Sequence, residues 1–363
     1  MNSKFLLFTI VFYCLFSACN SSKKENKKLL DDQLITFKEK IKSPKDMIWV
    51  ASKTFLMGAK EGDNLAMPRE KPAHNVYVDG FYIDTHEVTN AQFKAFVAAT
   101  NYVTTAERPI NWDEIKKDLP LNTPKPDASV LQPGSLIFNK KATGVVSMAN
   151  YQQWWIWKVG ANWKQPAGPG SSIEGKDNFP VVHVGLEDAL AYCKWANRRL
   201  PTEAEWESAA QGNNTNNIFV WGNNKQDLNT NANTWQGQFP TTNNSEDGYD
   251  YISPVKSYPS NEIGLYDMAG NVWEITTDLF NVNYYKMLNI NEVLKNPIGA
   301  KTSYSPSNPY QLEHVIKGGS FLCHESYCAS FRISARMGME PSSSSDHIGF
   351  RTVVTKEMLS KTK

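Results

Sequence analysis

Beyond about Gly212 the chain runs through Asn, Gly, Asp, Ser and Pro with isolated aromatics, so much of this 363-residue protein lacks stretches suited to long helices or strands. Backbone polar groups in such loops still need partners once buried, and a core built from them needs staples other than ladders and helical turns. Two features can supply staples. The run Asn243-Asn244-Ser245-Glu246-Asp247 is rich in the oxygens that a hard cation takes. Further on, Lys317-Gly318-Gly319-Ser320-Phe321-Leu322-Cys323-His324-Glu325-Ser326-Tyr327-Cys328 holds two cysteines at C-x4-C spacing. That spacing lets both sulfurs turn toward one point, which suits either a disulfide or a soft metal held by two thiolates.

The chain can bury a sizeable core, at 41% hydrophobic and 12% aromatic residues, and its length allows one large domain or two small ones. Lysine plus arginine (38) nearly cancels aspartate plus glutamate (37), so no basic field exists to hold a nucleic acid. At the N-terminus a lysine at position 4 precedes an apolar run from Phe5 to Phe16 and then Ser17-Ala18-Cys19. This pattern predicts a signal peptide over residues 1–18, too short to span a membrane. A cysteine directly after small residues resembles the lipobox of bacterial lipoproteins, with Phe16 standing where Leu is common; Cys19 would be lipidated and anchor the chain at the periplasmic face of a membrane. Residues 19–45 read as a polar tether with a short helix near Leu30 to Ile41.

Short strands are predicted at Met47 to Val50 and Phe55 to Met57, and a hairpin at Asn75 to Val78 and Phe81 to Ile83 around Asp79-Gly80. Thr89 with Gln92 forms a capping box for a helix that places Phe93, Phe96 and Val97 on one face. A second helix is expected from Leu186 to Asn197, with Cys193 on its buried side, and a third after Thr202, capped by Glu205.

Four segments carry a family resemblance: Phe55-Leu56-Met57-Gly58; Pro180 to Val184 with Asp188-Ala189; Arg199-Leu200-Pro201-Thr202-Glu203-Ala204-Glu205-Trp206-Glu207; and Gly264-Leu265-Tyr266-Asp267-Met268-Ala269-Gly270-Asn271-Val272-Trp273-Glu274. In that order they resemble the formylglycine-generating enzyme family, also called sulfatase-modifying factors, over residues 46–354. Residues 355–363 are then a C-terminal tail. The resemblance implies a single α+β domain of C-type-lectin-like, formylglycine-generating-enzyme fold, with low regular secondary structure and long ordered loops.

Gly318 through Cys328 and on to Arg336 resembles the active-site strand and loop of the catalytic members, both cysteines included. The implied activity is a copper-dependent oxidase that uses molecular oxygen to convert a cysteine, in a Cys-x-Pro/Ala-x-Arg motif of an unfolded sulfatase, to Cα-formylglycine. Two thiolates favour monovalent copper and leave a position open for an incoming thiol. The resemblance makes Cys323 and Cys328 the copper ligands, Ser320 part of the oxygen pocket, and Trp273 and Tyr327 its walls. It places Arg336 and Trp163 along the peptide groove, with His347 standing where the family usually has Asn. His324, between the cysteines in sequence, is not the ligand in the family.

Two structural calcium sites are implied as well. Asn233, the Thr234 carbonyl, Asp247 and the Tyr249 carbonyl form the first; Asp267, the Gly270 and Val272 carbonyls and Glu274 form the second. Animal relatives pair a cysteine matching Cys193 with one where this chain has Thr352, so Cys193 should be a free buried thiol. The segment from Tyr102 to Tyr151 reads as a variable insertion shaping substrate access. The competing reading keeps the fold without the catalysis, as a lipoprotein component of a cell-surface or gliding-motility assembly, and retention of both cysteines argues against it.

Overall fold

The computed structural model describes residues 43–148 and 150–361. The expected signal peptide, Cys19 and nearly all of the tether lie outside the described residues. Strands β1 (Met47–Val50) and β2 (Lys53–Met57) open the domain, followed by β3 (His74–Val78) and β4 (Phe81–Asp84). The four strands expected from sequence are present, but β3 and β4 do not form a hairpin. β3 pairs with β2, whereas β4 lies between β1 and the late strand Val353–Val354 in a different sheet. Asp79 explains the difference: its N–H donates to the Asn296 side chain and its carboxylate accepts from the same amide, so the turn is tied to a distant loop. Gly80 lies against the Trp49 indole, where a Cβ would fall 2.3 Å from a ring carbon. Close approach, not a tight two-residue turn, is what the glycine provides.

Helix α1 (Asn90–Thr100) begins as the capping box predicts. Thr89 Oγ1 accepts the Gln92 N–H at 3.3 Å and Gln92 Oε1 accepts the Thr89 N–H at 2.8 Å. Phe93 and Phe96 are buried on its inner face. Helix α2 (Leu186–Trp195) starts where Asp188 accepts the Gly185 N–H, and α3 (Glu203–Gln211) where Thr202 and Glu205 cap reciprocally. Between α1 and α2 a two-stranded ribbon forms from β5 (Gly134–Phe138) and β6 (Trp155–Val159).

The second part of the chain contributes a four-stranded sheet from four scattered segments. β7 (Trp273–Leu279) and β8 (His314–Lys317) run antiparallel, β9 (Met337–Met339) joins the outer edge of β8, and β10 (Ile348–Gly349) pairs parallel to β7. β11 (Val353–Val354) then returns to β4, closing the domain on its own beginning. The expected tail starts with one more short helix, α4 (Lys356–Ser360), capped by Thr355.

What holds the loops is charge as well as apolar packing. Arg332 forks onto Glu70 at 2.6 and 2.8 Å and also reaches Asp63 at 2.8 Å. Arg336 forks onto Glu203 at 2.7 and 2.8 Å, and Arg351 onto Glu274 at 2.6 and 2.7 Å. Lys317 reaches Glu207 at 3.1 Å. All four cations are buried. Burial alone would push Glu203 toward its neutral form, yet Arg336 and Lys317 hold it below the usual carboxylate range. Such buried, hydrogen-bonded pairs fix long-range contacts where ladders are scarce.

Candidate active site

The cysteine loop leaves β8 through two glycines in the left-handed region, Gly318 (φ 88°) and Gly319 (φ 76°). A Cβ on Gly319 would lie 2.8 Å from the Ser330 carbonyl, so the outgoing and returning arms approach too closely for any other residue. From there the Phe321 N–H donates to the Asn271 carbonyl at 2.9 Å, and the Cys323 N–H to the Ser320 carbonyl at 2.9 Å. The His324 carbonyl then collects the N–H groups of Tyr327, Cys328 and Ala329 at 3.0 to 3.1 Å. This turn folds the chain back, leaving the Cα atoms of Cys323 and Cys328 5.6 Å apart with their sulfurs in contact.

Both cysteines are nearly buried, at 2% and 8% exposure, on the border of the largest apolar cluster. They also line a cleft of about 540 Å³. Ser320, Trp273 and Tyr327 line the same cleft, so the five residues expected to form the reactive wall are brought together. The Ser320 N–H points at Cys323 Sγ from 3.4 Å. Tyr327 is clamped between Phe239, stacked at 4.5 Å, and Trp154, edge-on at 5.8 Å. Trp273 opens β7 and packs with both cysteines in the core.

His347 lines the cleft too and meets Trp155 edge-on at 4.7 Å. Burial, with His183 as a second cause, lowers its pKa to about 3, so the ring is neutral, and its Nδ1 has no protein partner. The other two groove residues are not at the cleft. Arg336 is wholly buried, engaged by Glu203, the Arg69 and Asn281 carbonyls and the Tyr285 ring, and is absent from the cleft lining. Trp163 is buried against Phe93 at 5.2 Å in the α1 core. Both placements correct the sequence reading, and both have the same cause: a compensated charge or a large apolar ring is more stable inside this core than on a wall. The His324 ring turns back to Ser326 and borders a separate cavity of about 270 Å³ with Lys225 and Glu325.

Sequence reasoning missed the opposite wall. The β5–β6 ribbon contributes Leu136 and Trp155, with Tyr151 and Gln152 just before β6, and β9 contributes Met337 and Met339. The aromatic cluster Trp154-Trp155-Ile156-Trp157 was the available signal, since Trp157 and Ile156 are exposed instead of packed. The segment from Tyr102 to Tyr151 contributes Leu136 and Tyr151 to the cleft lining.

Of the two oxygen sets, the first fits a hard cation and the second does not. Asn233 Oδ1 is buried without a partner, beside Asp247, whose carboxylate organises the loop by accepting the Thr234 and Tyr249 N–H groups at 2.8 and 3.0 Å. Glu274, by contrast, is filled by Arg351 and by the Trp206 indole N–H at 2.8 Å, so the expected ligand role is corrected to that of an ion-pair partner. Asp267 Oδ1 is left unpartnered there, and so is Oε2 of Glu87; burial holds both carboxyls above their ordinary pKa. Gly270 (φ 75°) joins the two regions, because a Cβ would fall 2.1 Å from the Asn233 carbonyl.

Cys193 is free and buried, and desolvation, then Asp84, pushes its thiol up to about 12. Thr352 stands where a disulfide partner was expected in relatives, and its hydroxyl instead bonds Asp84.

Paired sulfurs thus stand on the wall of an apolar cleft in an α+β domain held largely by loops. The chain belongs to the family described as sulfatase-modifying factor enzyme 1-like, whose domain matches residues 33–356. It is 41% identical over 293 residues to the formylglycine-generating enzyme of Mycobacterium tuberculosis, covering 80% of this chain and 93% of that one. It is also 35% identical over 309 residues to the inactive C-alpha-formylglycine-generating enzyme 2 of Bos taurus, covering 84% and 87%. Among solved structures, PvdO from Pseudomonas aeruginosa superposes with a TM-score of 0.57 at 21% identity over 86% of this chain and 96% of that one, a likeness of fold.

Proposed function

We propose that this protein is a formylglycine-generating enzyme, converting a cysteine in a Cys-x-Pro/Ala-x-Arg motif of an unfolded sulfatase to Cα-formylglycine with molecular oxygen as electron acceptor. The observation that carries this reading is the meeting of Cys323 and Cys328 on a cleft wall shared with Ser320, Trp273 and Tyr327. Two converging soft donors fit monovalent copper, and the reduced thiolates of Cys323 and Cys328 would hold it. When bound, the metal would supply the one-electron and oxygen chemistry that side chains lack.

The chain's own residues do the rest. The Ser320 N–H aimed at Cys323 Sγ favours the thiolate over the thiol. Trp273, Tyr327 and Phe239 present rings to the cleft and keep water from the sulfurs. The cleft, at about 540 Å³, has room for a short segment of chain but not for a folded domain. A cysteine presented on an unfolded stretch of the substrate fits that size.

The accompanying assignments are proposals of the same kind. Calcium binds at Asn233, Thr234, Asp247 and Tyr249, a staple for the loop that packs against Gly270. Export and lipidation at Cys19 hold the domain at the periplasmic face of a membrane, where newly exported sulfatases pass before folding.

The test is incubation of the copper-loaded protein with a Cys-x-Pro-x-Arg peptide in air. Loss of mass at the cysteine, with an aldehyde that reacts with a hydrazide, is the expected result. A second reading has one specific support: the contact between the two sulfurs also suits a permanent disulfide, and the family includes a relative named inactive. Sulfurs that resist reduction, take up no cuprous ion and leave the peptide unchanged establish that non-catalytic alternative.

A further inference from the structure

The cysteine loop is held by a residue that does not line the cleft. Trp235 is 5% exposed and absent from the cleft wall, yet it reaches both arms of the loop. Its backbone N–H donates to the Cys323 carbonyl at 3.1 Å, while the Cys323 N–H donates to the Ser320 carbonyl at 2.9 Å, so both polar groups of that residue's main chain are fixed. The Trp235 ring meets Phe239 edge-on at 5.3 Å, and Phe239 stacks at 4.5 Å on Tyr327, the residue before Cys328. One sulfur is thus reached through the main chain and the other through two rings.

Trp235 is itself held by its neighbours in sequence. The Asp247 carboxylate accepts the Thr234 N–H at 2.8 Å and the Gln236 side-chain amide at 2.9 Å, clamping the residues on either side. The Gln236 N–H donates to the Asn243 side chain at 3.0 Å, and the Gln236 carbonyl accepts the Asn244 N–H at 2.7 Å. Phe138 of β5 meets the indole at 5.4 Å as well. The indole Nε1, however, is buried without a protein partner. An unpaired donor costs stability in an apolar core, so stability alone would favour phenylalanine here. What the indole supplies is size, a ring large enough to reach Phe138 and Phe239 together.

We infer that Trp235 is the positioning residue of the cysteine pair, setting how Cys323 and Cys328 present their sulfurs by acting on the Cys323 carbonyl and, through Phe239, on Tyr327. The two routes differ in what a substitution leaves behind. Any residue but proline at position 235 keeps the N–H on Cys323, whereas only a large ring keeps Phe239 and Tyr327 in place. Loss of the ring therefore frees the Cys328 arm and leaves the Cys323 arm tied, an asymmetry that a general loss of stability would not produce. The inference rests on the proposed reading only for the use to which the sulfurs are put; their placement is independent of turnover.

The experiment follows each sulfur in the whole protein, reduced and metal-free under anaerobic conditions, by its rate of alkylation with iodoacetamide. Cleavage after Glu325 separates the two cysteines for mass spectrometry. Trp235→Leu should speed alkylation of Cys328 about 3- to 10-fold, the worth of one aromatic pair, and change that of Cys323 by less than about 2-fold. Cuprous affinity, read by competition with a chromophoric chelator, should fall by a factor similar to the Cys328 change, and Trp235→Phe, with a smaller ring, should lie between. Circular dichroism checks that each variant is folded. If Trp235→Leu does not fold, Phe239→Leu breaks the ring route from its other end and is expected to give the same asymmetry. Equal acceleration at both cysteines, no acceleration at either in a folded variant, or an unchanged cuprous affinity overturns the inference. Failure of the unmodified protein to convert the cysteine peptide, while the Trp235-dependent asymmetry persists, overturns the enzymatic reading alone.

Discussion

One stretch of chain, residues 317–351, supplies both the wall of the cleft and the charged core beneath it, and the two differ in how their polar groups are committed. Lys317, Arg332, Arg336 and Arg351 turn inward and meet carboxylates from α3, β7 and the loop before β3. Ser320, Cys323, Tyr327, Cys328 and His347 turn to the cleft, uncharged and with donor or acceptor capacity left over. An ion whose counterion lies within the same core can hold distant segments together but has little left to offer a ligand. Chemistry in this protein belongs to the groups left incompletely partnered.

The sharpest division between the two sides is expected at the sulfurs. Cys328→Ser or Cys323→Ser should lower peptide conversion by roughly 1,000-fold or more, because a single thiolate cannot hold the soft ion that the reaction needs. Thermal unfolding should move by only a few degrees, since serine nearly preserves the shape of the turn around the His324 carbonyl. Conversion that persists in both variants, followed by mass spectrometry, breaks the comparison at its functional end.

Arg336 tests the other end. Arg336→Met removes the partner that Glu203 meets through two bonds, leaving a buried carboxylate with only Lys317 at 3.8 Å and the Tyr285 hydroxyl. The expected loss is about 3–5 kcal/mol of unfolding free energy, measured with urea. A groove residue would behave differently, raising KM while stability held.

That contrast also explains what could be read in advance. Capping boxes at Thr89 and Thr202 are local, so both helix starts were legible from four residues each. The turn at Asp79-Gly80 was misread because its partner, Asn296, is 217 positions away. At the site, the C-x4-C run is local again, and the five wall residues were found where the motif put them. Arg336 and Trp163 were misassigned because motif identity says nothing about which side of a loop a residue faces. Glu203 and Phe93, which capture them, lie 133 and 70 residues upstream (336 − 203 and 163 − 93). Trp155, Tyr151 and Met337 were missed since only the folded chain brings the β5–β6 ribbon opposite β9.

Calcium sharpens the comparison further, because Glu274 of the second oxygen set is already taken by Arg351 and the Trp206 indole, whereas Asp247 of the first has no cation among the described residues. With the ion at about 100 times its dissociation constant, removal by a chelator should cost about 3 kcal/mol. Asp247→Ala should abolish that response, since it removes the acid of the Asn233 set. Glu274→Gln should destabilise equally with and without chelator, as befits the partner of Arg351. Calorimetry in both buffers distinguishes the sets, and a chelator response lost in Glu274→Gln reverses the assignment.

The smallest effect is one of pH, and it belongs to the cleft wall. Burial first, and His183 second, lower the His347 pKa from 6.5 to about 3, so between those values the unfolded chain takes up a proton that the folded chain refuses. Stability from this group is therefore complete above 6.5 and is lost as pH falls toward 3. At about pH 5 the loss is roughly 2 kcal/mol, from about 1.5 pH units at 1.36 kcal/mol each. Neighbouring Asp346 works in the opposite sense: burial raises its pKa from 3.8 to about 7, so its contribution is present at low pH and lost as pH rises through that range. The quantity to measure is thus the difference between the protein and its His347→Asn variant, in which Asp346 and His183 are retained. Between pH 7.5 and pH 5 the unmodified chain should lose roughly 2 kcal/mol more unfolding free energy than the variant does, measured by urea titration at both pH values. Parallel acid profiles would mean that the ring accepts a proton in the folded cleft, where its Nδ1 would then stand as a donor and not as the neutral acceptor inferred from its burial.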